Sequence, residues 1–242
     1  MDETKVKGLL ERLEAMKRND RRLAKIGSIT YAEAGRRAAH MGRETGREIL
    51  QFLKENGDGI TEAEALMFIP PALRGNYRYS VNLAKAAQAN VNKKAGIGLQ
   101  ALGADFDEEK AANLAKHISE VGAAPEVVAL VEQNARHVVD ATLWKNAAAH
   151  ENAGLQVRVI RTYDGVGLHG GKDGCEWCLE RVGEWAHVAD AQAAGAFERH
   201  AGCGCEIIYQ TVRLNWQRQG KDMTWRDMES KDALKRRKSY GL

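Results

Sequence analysis

The sequence predicts an α+β protein, with a mainly helical N-terminal portion followed by a small β-containing module of the zinc-knuckle kind. Three observations support this fold class. Only 3 of the 242 residues are proline, helical periodicity dominates the first 150 positions, and all four cysteines lie between Cys175 and Cys205. We therefore expect a helical domain (1–150), a Cys/His metal-binding β module (151–210) and a basic C-terminal tail (211–242).

Composition excludes several classes of protein. Hydrophobic residues make up 44% of the chain, which is enough to bury a core. No stretch approaches the roughly 18 apolar residues of a membrane span, and the N-terminus lacks the apolar run of a secretory signal. We expect a soluble protein made in a cytoplasm, without a membrane partner. The net charge of +3 is too small for whole-molecule binding to nucleic acid.

The first helices are predicted from capping residues and apolar periodicity. A weakly amphipathic segment covers 2–25, and Thr30 with Glu33 has the form of a capping box. After it, residues on one helical face recur at steps of three and four: Ala34, Ala38, Met41, Thr45, Ile49 and Phe52. On the same segment Gly42 and Gly46 have the small-x-x-x-small spacing, which favours close packing of two helices, or simple tolerance of glycine, over membrane dimerisation.

A second capping box, Thr61 with Glu64, predicts the start of another helix. We expect that helix to be short and to stop at Pro70-Pro71, because neither proline suits a helix interior. A separate Ala- and Asn-rich helical stretch is predicted from about 76 to 102.

Two more helices are expected before the pattern changes. Asp105 with Glu108 predicts the start of one, and Gly122 predicts its end. Pro125 lies where first-turn prolines are tolerated, and an apolar stripe runs from it toward Trp144.

The C-terminal third carries strand signals around a glycine-rich loop. β-branched alternation predicts strands over 157–163 and 206–210, with a short Ala-rich helix near 189–199 between them. Residues 165–170 match the dinucleotide-binding pattern G-x-G-x-x-G. That chemistry needs a helix to begin at the loop, whereas a glycine-rich turn follows here, so we interpret the loop as the approach to the cysteines.

The cysteines and one histidine have the spacing of a metal site. Cys175-x-x-Cys178 is followed after twenty-four residues by Cys203-x-Cys205, with His200 three residues before Cys203. A Cys-x-x-Cys turn places two thiolates close enough to share one ion, and a second pair completes a tetrahedron. We expect structural Zn²⁺, because a fully liganded zinc ion keeps no open position for catalysis.

Five donors compete for about four positions. Cys175, Cys178 and Cys203 are the expected ligands, while His200 and Cys205 are alternatives for the fourth position. Two other interpretations stay open: reduced cysteines that pack as small apolar groups, and two disulfides, which a reducing compartment disfavours.

A metal-dependent nuclease of the HNH kind is the alternative function. In such a nuclease the catalytic histidine would be His169, His187 or His200. We expect His169 and His187 to be surface residues instead, and Asp164 and Glu198, the conceivable acidic partners, to be solvated or capping residues.

Three stretches of the C-terminal third, 161–164, 175–179 and 197–207, belong together as a pattern. They resemble the Mu F-like minor capsid family, the head morphogenesis proteins of tailed bacteriophages. The family's mark is a Cys-x-x-Cys followed, roughly twenty to thirty residues on, by His-x-x-Cys-x-Cys running into a strand. Ala201 and Gly204 depart from the commoner form of the motif, at positions that are not ligands.

The resemblance covers about 150–210 and implies a non-enzymatic virion component, made in the bacterial host cytoplasm and present in few copies at the portal vertex inside the procapsid. The implied partners are the portal protein, scaffold or major capsid protein, and non-specific double-stranded DNA. A run in the tail is compatible with contacts to DNA phosphates, although a solvated terminus is the alternative: Lys235, Arg236, Arg237 and Lys238.

Overall fold

Helices form most of the structure, and the strands come late in the chain. The computed structural model describes residues 2–23, 29–56, 59–163, 175–200 and 203–212. The elements in these ranges are α1 (Glu3–Leu23), α2 (Tyr31–Asn56), α3 (Glu62–Ala95), α4 (Glu108–Val121), α5 (Glu126–Asn152), β1 (Gln156–Thr162), α6 (Glu176–Leu179), β2 (Gly183–Trp185), α7 (Val188–Ala193) and β3 (Glu206–Val212). The predicted α+β class is confirmed. None of the described helices is long and apolar enough to cross a membrane.

Several predicted features lie outside the described residues. These are the glycine motif at 165–170 with His169, the acidic Asp164, and the tail from 213 onward. The basic run Lys235, Arg236, Arg237 and Lys238 belongs to that tail. The tail is predicted to begin at residue 211, whereas residues 211 and 212 are the end of β3.

Helices α2 and α5 approach each other closely, and glycine makes the approach possible. A Cβ atom on Gly46 would lie 2.7 Å from the Cα of Val128, and one on Gly42 would lie 2.7 Å from the Cα of Glu132. Close packing at the small-x-x-x-small spacing is therefore confirmed. The predicted face of this helix is buried throughout: Ala34, Ala38, Met41, Thr45, Ile49 and Phe52.

The predicted stop at Pro70-Pro71 is wrong, because α3 continues through both prolines. The capping box that starts the helix is confirmed: the Glu64 amide donates to Thr61 Oγ1, and the Thr61 amide donates to Glu64 Oε2 at 2.9 Å. Buried apolar side chains on both sides of the prolines, among them Phe68 and Leu73, stabilise the continued helix. The helix ends at Gly96, whose φ of 64° is left-handed, and not at Leu102.

Two boundaries of the later helices also differ from expectation. The cap of α4 is Asp107, whose Oδ1 accepts from the Lys110 amide at 2.8 Å. Asp105 instead pairs with Lys145 at 2.8 Å. The last long helix, α5, extends well past Trp144 and thereby reaches the first strand.

The sheet is antiparallel, with the order β2-β1-β3. Val159 in the central strand pairs with Trp185 on one side and with Tyr209 on the other. The strands predicted near 157–163 and 206–210 are confirmed, whereas β2 was not predicted and α7 is shorter than expected. Val159, Tyr209 and their neighbours share one buried cluster with Ala38 and Ala135 of the helices. The sheet is thus packed directly on the helical core.

Replacement of Gly46 by alanine should weaken the α2–α5 contact. The added Cβ would meet backbone atoms of Val128 that cannot move independently, so we expect a loss of about 1–3 kcal/mol in the free energy of unfolding, measured by urea denaturation. Gly35→Ala in the same helix is the matched control, since nothing lies within 4 Å of its Cβ position. That control should be neutral or stabilising by up to about 1 kcal/mol. Equal effects at both positions would contradict the close-packing role.

Candidate metal centre

Two short turns carry the cysteines and the histidine. Cys175 precedes α6 and Cys178 lies within it, and the Leu179 amide donates to the Cys175 carbonyl at 2.9 Å, which closes this turn. The second turn is closed by the Cys203 amide, which donates to the His200 carbonyl at 3.1 Å. Because β3 begins directly after Cys205 and pairs with the central strand, the sheet holds the second turn opposite the first.

The donor atoms of the two turns converge. His200 Nε2 lies 3.0 Å from Cys178 Sγ and 3.3 Å from Cys175 Sγ. Cys178 Sγ lies 3.7 Å from Cys203 Sγ. Ligand atoms of a tetrahedral zinc ion with Zn–S bonds of about 2.3 Å are about 3.8 Å apart, so these separations are close to those of a metal site.

All five predicted donors belong to this cluster. They form two groups of three, each with its ligand atoms within 4.8 Å of one another: Cys175, Cys178 and His200 form the first, and Cys178, Cys203 and Cys205 form the second. Cys178 is common to both groups. The chain therefore has a Cys/His cluster that could bind a metal ion.

The cluster is largely buried, and its cysteines are free thiols. Cys178, Cys203 and Cys205 are buried, Cys175 is half-buried, and none of the four forms a disulfide. The 3.7 Å between the sulfurs of Cys178 and Cys203 is far longer than the S–S bond of about 2.05 Å. Sulfur atoms in such a site are screened from water, which favours a tightly held ion over an exchangeable one.

A buried arginine fixes one side of the cluster. Arg161 is fully buried on β1, and its Nη1 donates to the carbonyls of Gly195, Ala196 and Glu198 at 3.1, 3.0 and 2.6 Å. Its Nη2 lies 3.6 Å from Cys203 Sγ. This guanidinium therefore holds the loop that leads to the histidine and places a positive charge beside a sulfur.

A second arginine connects the cluster to α5. Arg199 is paired through two nitrogens with the carboxylate of Asp140, and its Nη2 lies 3.0 Å from Oδ1. Its Nη1 donates to the Cys205 carbonyl at 2.6 Å and lies 3.8 Å from Cys203 Sγ. Arg136, also on α5, donates to the Cys203 carbonyl at 2.8 Å. The second turn is thus attached to the helical core by charged side chains.

These contacts give the cysteines of the cluster different pKa values. A hydrogen bond from the Cys205 thiol, together with the Arg199 guanidinium, lowers the pKa of Cys203 to about 4 despite its burial. Burial raises the pKa of Cys178 to about 11. The pKa of Cys205 is also raised, first by its hydrogen bond to Cys203 and then by burial. Among these three cysteines, Cys203 is therefore the one whose thiolate form is most favoured by its surroundings, and a bound divalent cation would favour deprotonation of the others.

Trp177 orients the histidine. Its ring meets the His200 imidazole edge-on, with ring centroids 5.2 Å apart and an interplanar angle of 86°. The Arg181 guanidinium stacks on the Trp177 ring, 3.9 Å from the ring centroid. Arg181 Nη1 also donates a hydrogen bond to the Trp177 carbonyl at 3.1 Å. The tryptophan is thereby fixed, and the imidazole presents Nε2 to the sulfurs.

The other candidate residues lie elsewhere. His187 is exposed, and its Nδ1 lies 2.8 Å from Glu151 Oε1. Glu198 is also exposed and pairs with Arg181 at 3.4 Å. Neither side chain belongs to the Cys/His cluster, in agreement with their interpretation as surface residues.

Sequence reasoning missed the charged residues around the sulfurs. Arg161 lies on the same face of its strand as Val157 and Val159, and this is the face that is buried. The alternation of residues along the strand was therefore enough to detect a buried charge at that position. Asp140 stands beside Val139 on the apolar face of its helix, which was a weaker signal. Nothing local to Arg199 indicated its partner, because 59 residues separate it from Asp140.

No family model, curated protein or solved structure matches this chain. Its function must therefore follow from the residues of the cluster and their contacts. The motif resemblance to the Mu F-like family stays a hypothesis to be tested by experiment.

Substitution of Cys178 by serine should strongly weaken metal binding, because this sulfur belongs to both groups of donors. We expect elemental analysis to find a metal content well below half of the wild-type value, and limited proteolysis to cleave near 175–205 while the helical part persists. His187→Gln, which removes an imidazole outside the cluster, is the control and should keep the wild-type metal content. Unchanged metal content and proteolysis in Cys178→Ser would show that these donors do not hold an ion.

Proposed function

We propose that the cluster binds one structural Zn²⁺ ion. The observation that carries this proposal is the convergence of sulfur and imidazole donors from two distant turns at separations of 3.0 to 3.7 Å. Thiolate and imidazole together are the donor set of structural zinc sites, whereas Mg²⁺ and Ca²⁺ are bound by oxygen. The buried guanidinium groups of Arg161 and Arg199 add support, because they stabilise anionic thiolates.

The proposed ion has an architectural role. Zinc with four protein ligands has no open position at which water or a substrate could be activated, and this cluster offers five donors for four places. The elements from the first turn to the second are only 4, 3 and 6 residues long. β2 pairs with β1 and α7 contributes Val188 and Ala191 to the main buried cluster, whereas α6 buries only Cys178. Metal binding supplies folding free energy in such segments, so the ion would hold the turn at α6 against the second turn.

At the level of the whole protein, we propose a non-enzymatic component of head morphogenesis in a tailed bacteriophage. The support is the resemblance of the Cys/His motif to the Mu F-like family, together with the order of a helical part, a strand and a Cys/His module. The proposed location is the portal vertex of the virion, with the portal protein as main partner and scaffold or major capsid protein as further ones. Non-specific contact with double-stranded DNA through the basic tail belongs to the same proposal.

Zinc content tests the first part of the proposal. Protein purified without chelator should contain about one zinc ion per chain, the stoichiometry of a single tetrahedral site, as measured by elemental analysis. Removal of the ion by a strong chelator should lower the unfolding temperature, and added Zn²⁺ should restore it because only the folded chain has the site. A ratio well below one, with no response to chelator, would refute the zinc site.

Association with the portal protein tests the second part. The purified chain should co-sediment with portal rings and should leave plasmid DNA intact in the presence of Mg²⁺ or Mn²⁺. An exposed-histidine variant, His187→Ala, should behave like the wild type in both assays. Nicking of plasmid DNA that is lost in His200→Ala would contradict the architectural role and favour the nuclease alternative.

A further inference from the structure

We propose that the buried Asp140–Arg199 pair is a positioning pair for the metal site, which raises its affinity and couples its occupancy to α5. This inference rests on the metal-binding function proposed above. It assigns a role to residues that do not bind the ion themselves. Three observations carry it: the burial of the pair, the contacts of its guanidinium at the sulfurs, and the arrangement of neighbouring residues on α5.

The burial of this pair calls for a specific explanation. The side chains of Arg199 and Asp140 are 7% and 4% exposed, and the two groups meet in a two-nitrogen arrangement. Removing both charges from water is costly, and apolar residues of similar size often serve stability as well or better. Overall stability therefore does not account for the pair, whereas a precise placement of Arg199 does.

Arg199 has its remaining contacts at the metal-binding turn. Its Nη1 donates to the Cys205 carbonyl at 2.6 Å and lies 3.8 Å from the sulfur of Cys203. The Arg199 guanidinium thus contacts the Asp140 carboxylate on α5, the Cys205 carbonyl and the Cys203 sulfur. A lysine could not make these contacts together, because its ammonium group is a point charge without the planar fork.

Three residues of α5 form an anchor for the turn: Gln133, Arg136 and Asp140. Gln133 Nε2 donates to the Arg199 carbonyl, and Arg136 Nη1 donates to the Cys203 carbonyl at 2.8 Å. The spacing of three and four residues places all three on one face of the helix. Arg199 and Cys203 are therefore held on this face by several contacts, and not by a single ion pair.

The chemistry at the sulfur explains why the anchor would affect affinity. A zinc ion with three or four thiolates carries a net negative charge, which nearby N–H donors and guanidinium groups stabilise. Partners that orient or hydrogen-bond metal ligands typically change metal affinity by about 10–100-fold when they are removed. Because coupling between two binding events is reciprocal, an ion in the site also strengthens the attachment of the turn to α5.

The decisive variant is Asp140→Asn combined with Arg199→Met, which removes both charges and leaves neither one buried without a partner. We expect the helical circular dichroism and the metal-free unfolding temperature to stay close to those of the wild type. Zinc affinity, measured by competition with a chromophoric chelator, should fall by about 10–100-fold. Arg199→Lys keeps the positive charge but lacks the planar fork of the guanidinium, so its zinc affinity should fall by about 10-fold. This single variant tests the proposal if the double variant does not fold.

The matched control is Arg36→Gln. Arg36 pairs with Glu206 at 2.6 Å across the junction of α2 and β3, but this pair is exposed and touches no donor atom of the cluster. The control should bind zinc within about twofold of the wild type, since exposed ion pairs contribute little. An equal loss of affinity in the control and the double variant would overturn the proposal.

Cobalt substitution separates action at the sulfur from general stability. N–H donors lower the energy of sulfur lone pairs, so the sulfur-to-cobalt charge-transfer band of the double variant should move to longer wavelength than that of the wild type. An unmoved band, or zinc affinity within about twofold of the wild type, would overturn the positioning role alone. Failure of the wild-type protein to bind either ion would overturn the metal site and this inference together.

Discussion

Compensation of charge on closely packed sulfur atoms is the constraint on which the C-terminal third depends. Three cysteines are buried together with a histidine at their edge, and a thiolate in such a place is costly unless positive charge lies nearby. Arg161 and Arg199 supply that charge at 3.6 and 3.8 Å from Cys203. Each guanidinium also holds backbone carbonyls of the surrounding loop, so electrostatic compensation and loop geometry are provided by the same groups.

The helical core gives this arrangement its rigidity. The α2–α5 contact is close because glycines face the partner helix, and the sheet packs on the same buried cluster as those helices. Residues of α5 then contact the turn that carries His200 and Cys203. The position of the second pair of donors is consequently set by long helices with deep burial, while the first pair lies on a helix of only four residues.

Sequence reasoning succeeded where the determining interactions are local, and it failed where they join distant parts of the chain. The apolar pattern of α2, the Thr61 capping box and the spacing of the donors within each Cys/His turn all follow from neighbours within a few residues. The passage of α3 through Pro70-Pro71 depends on burial of side chains such as Phe68 against other helices. β2 has only three residues and is defined by pairing with β1, and the Asp140–Arg199 contact likewise depends on tertiary folding.

The charge around the cluster is compatible with either fourth ligand. Arg161 and Arg199 contribute two positive charges beside Cys203, and Asp140 contributes one negative charge. Glu132 is shared between Arg43 at 2.7 Å and Arg136 at 3.5 Å, so it offsets only one of these two arginines. The surroundings therefore carry a net charge of about +2. This charge would compensate a zinc ion with three thiolates and a neutral imidazole, and equally one with four thiolates. The donor geometry accommodates both ligand sets as well, because His200 Nε2 lies 3.0 and 3.3 Å from two sulfurs and Cys205 Sγ lies within 4.8 Å of the sulfurs of Cys178 and Cys203. Cys178 belongs to both arrangements, so it is the donor on which either ligand set depends.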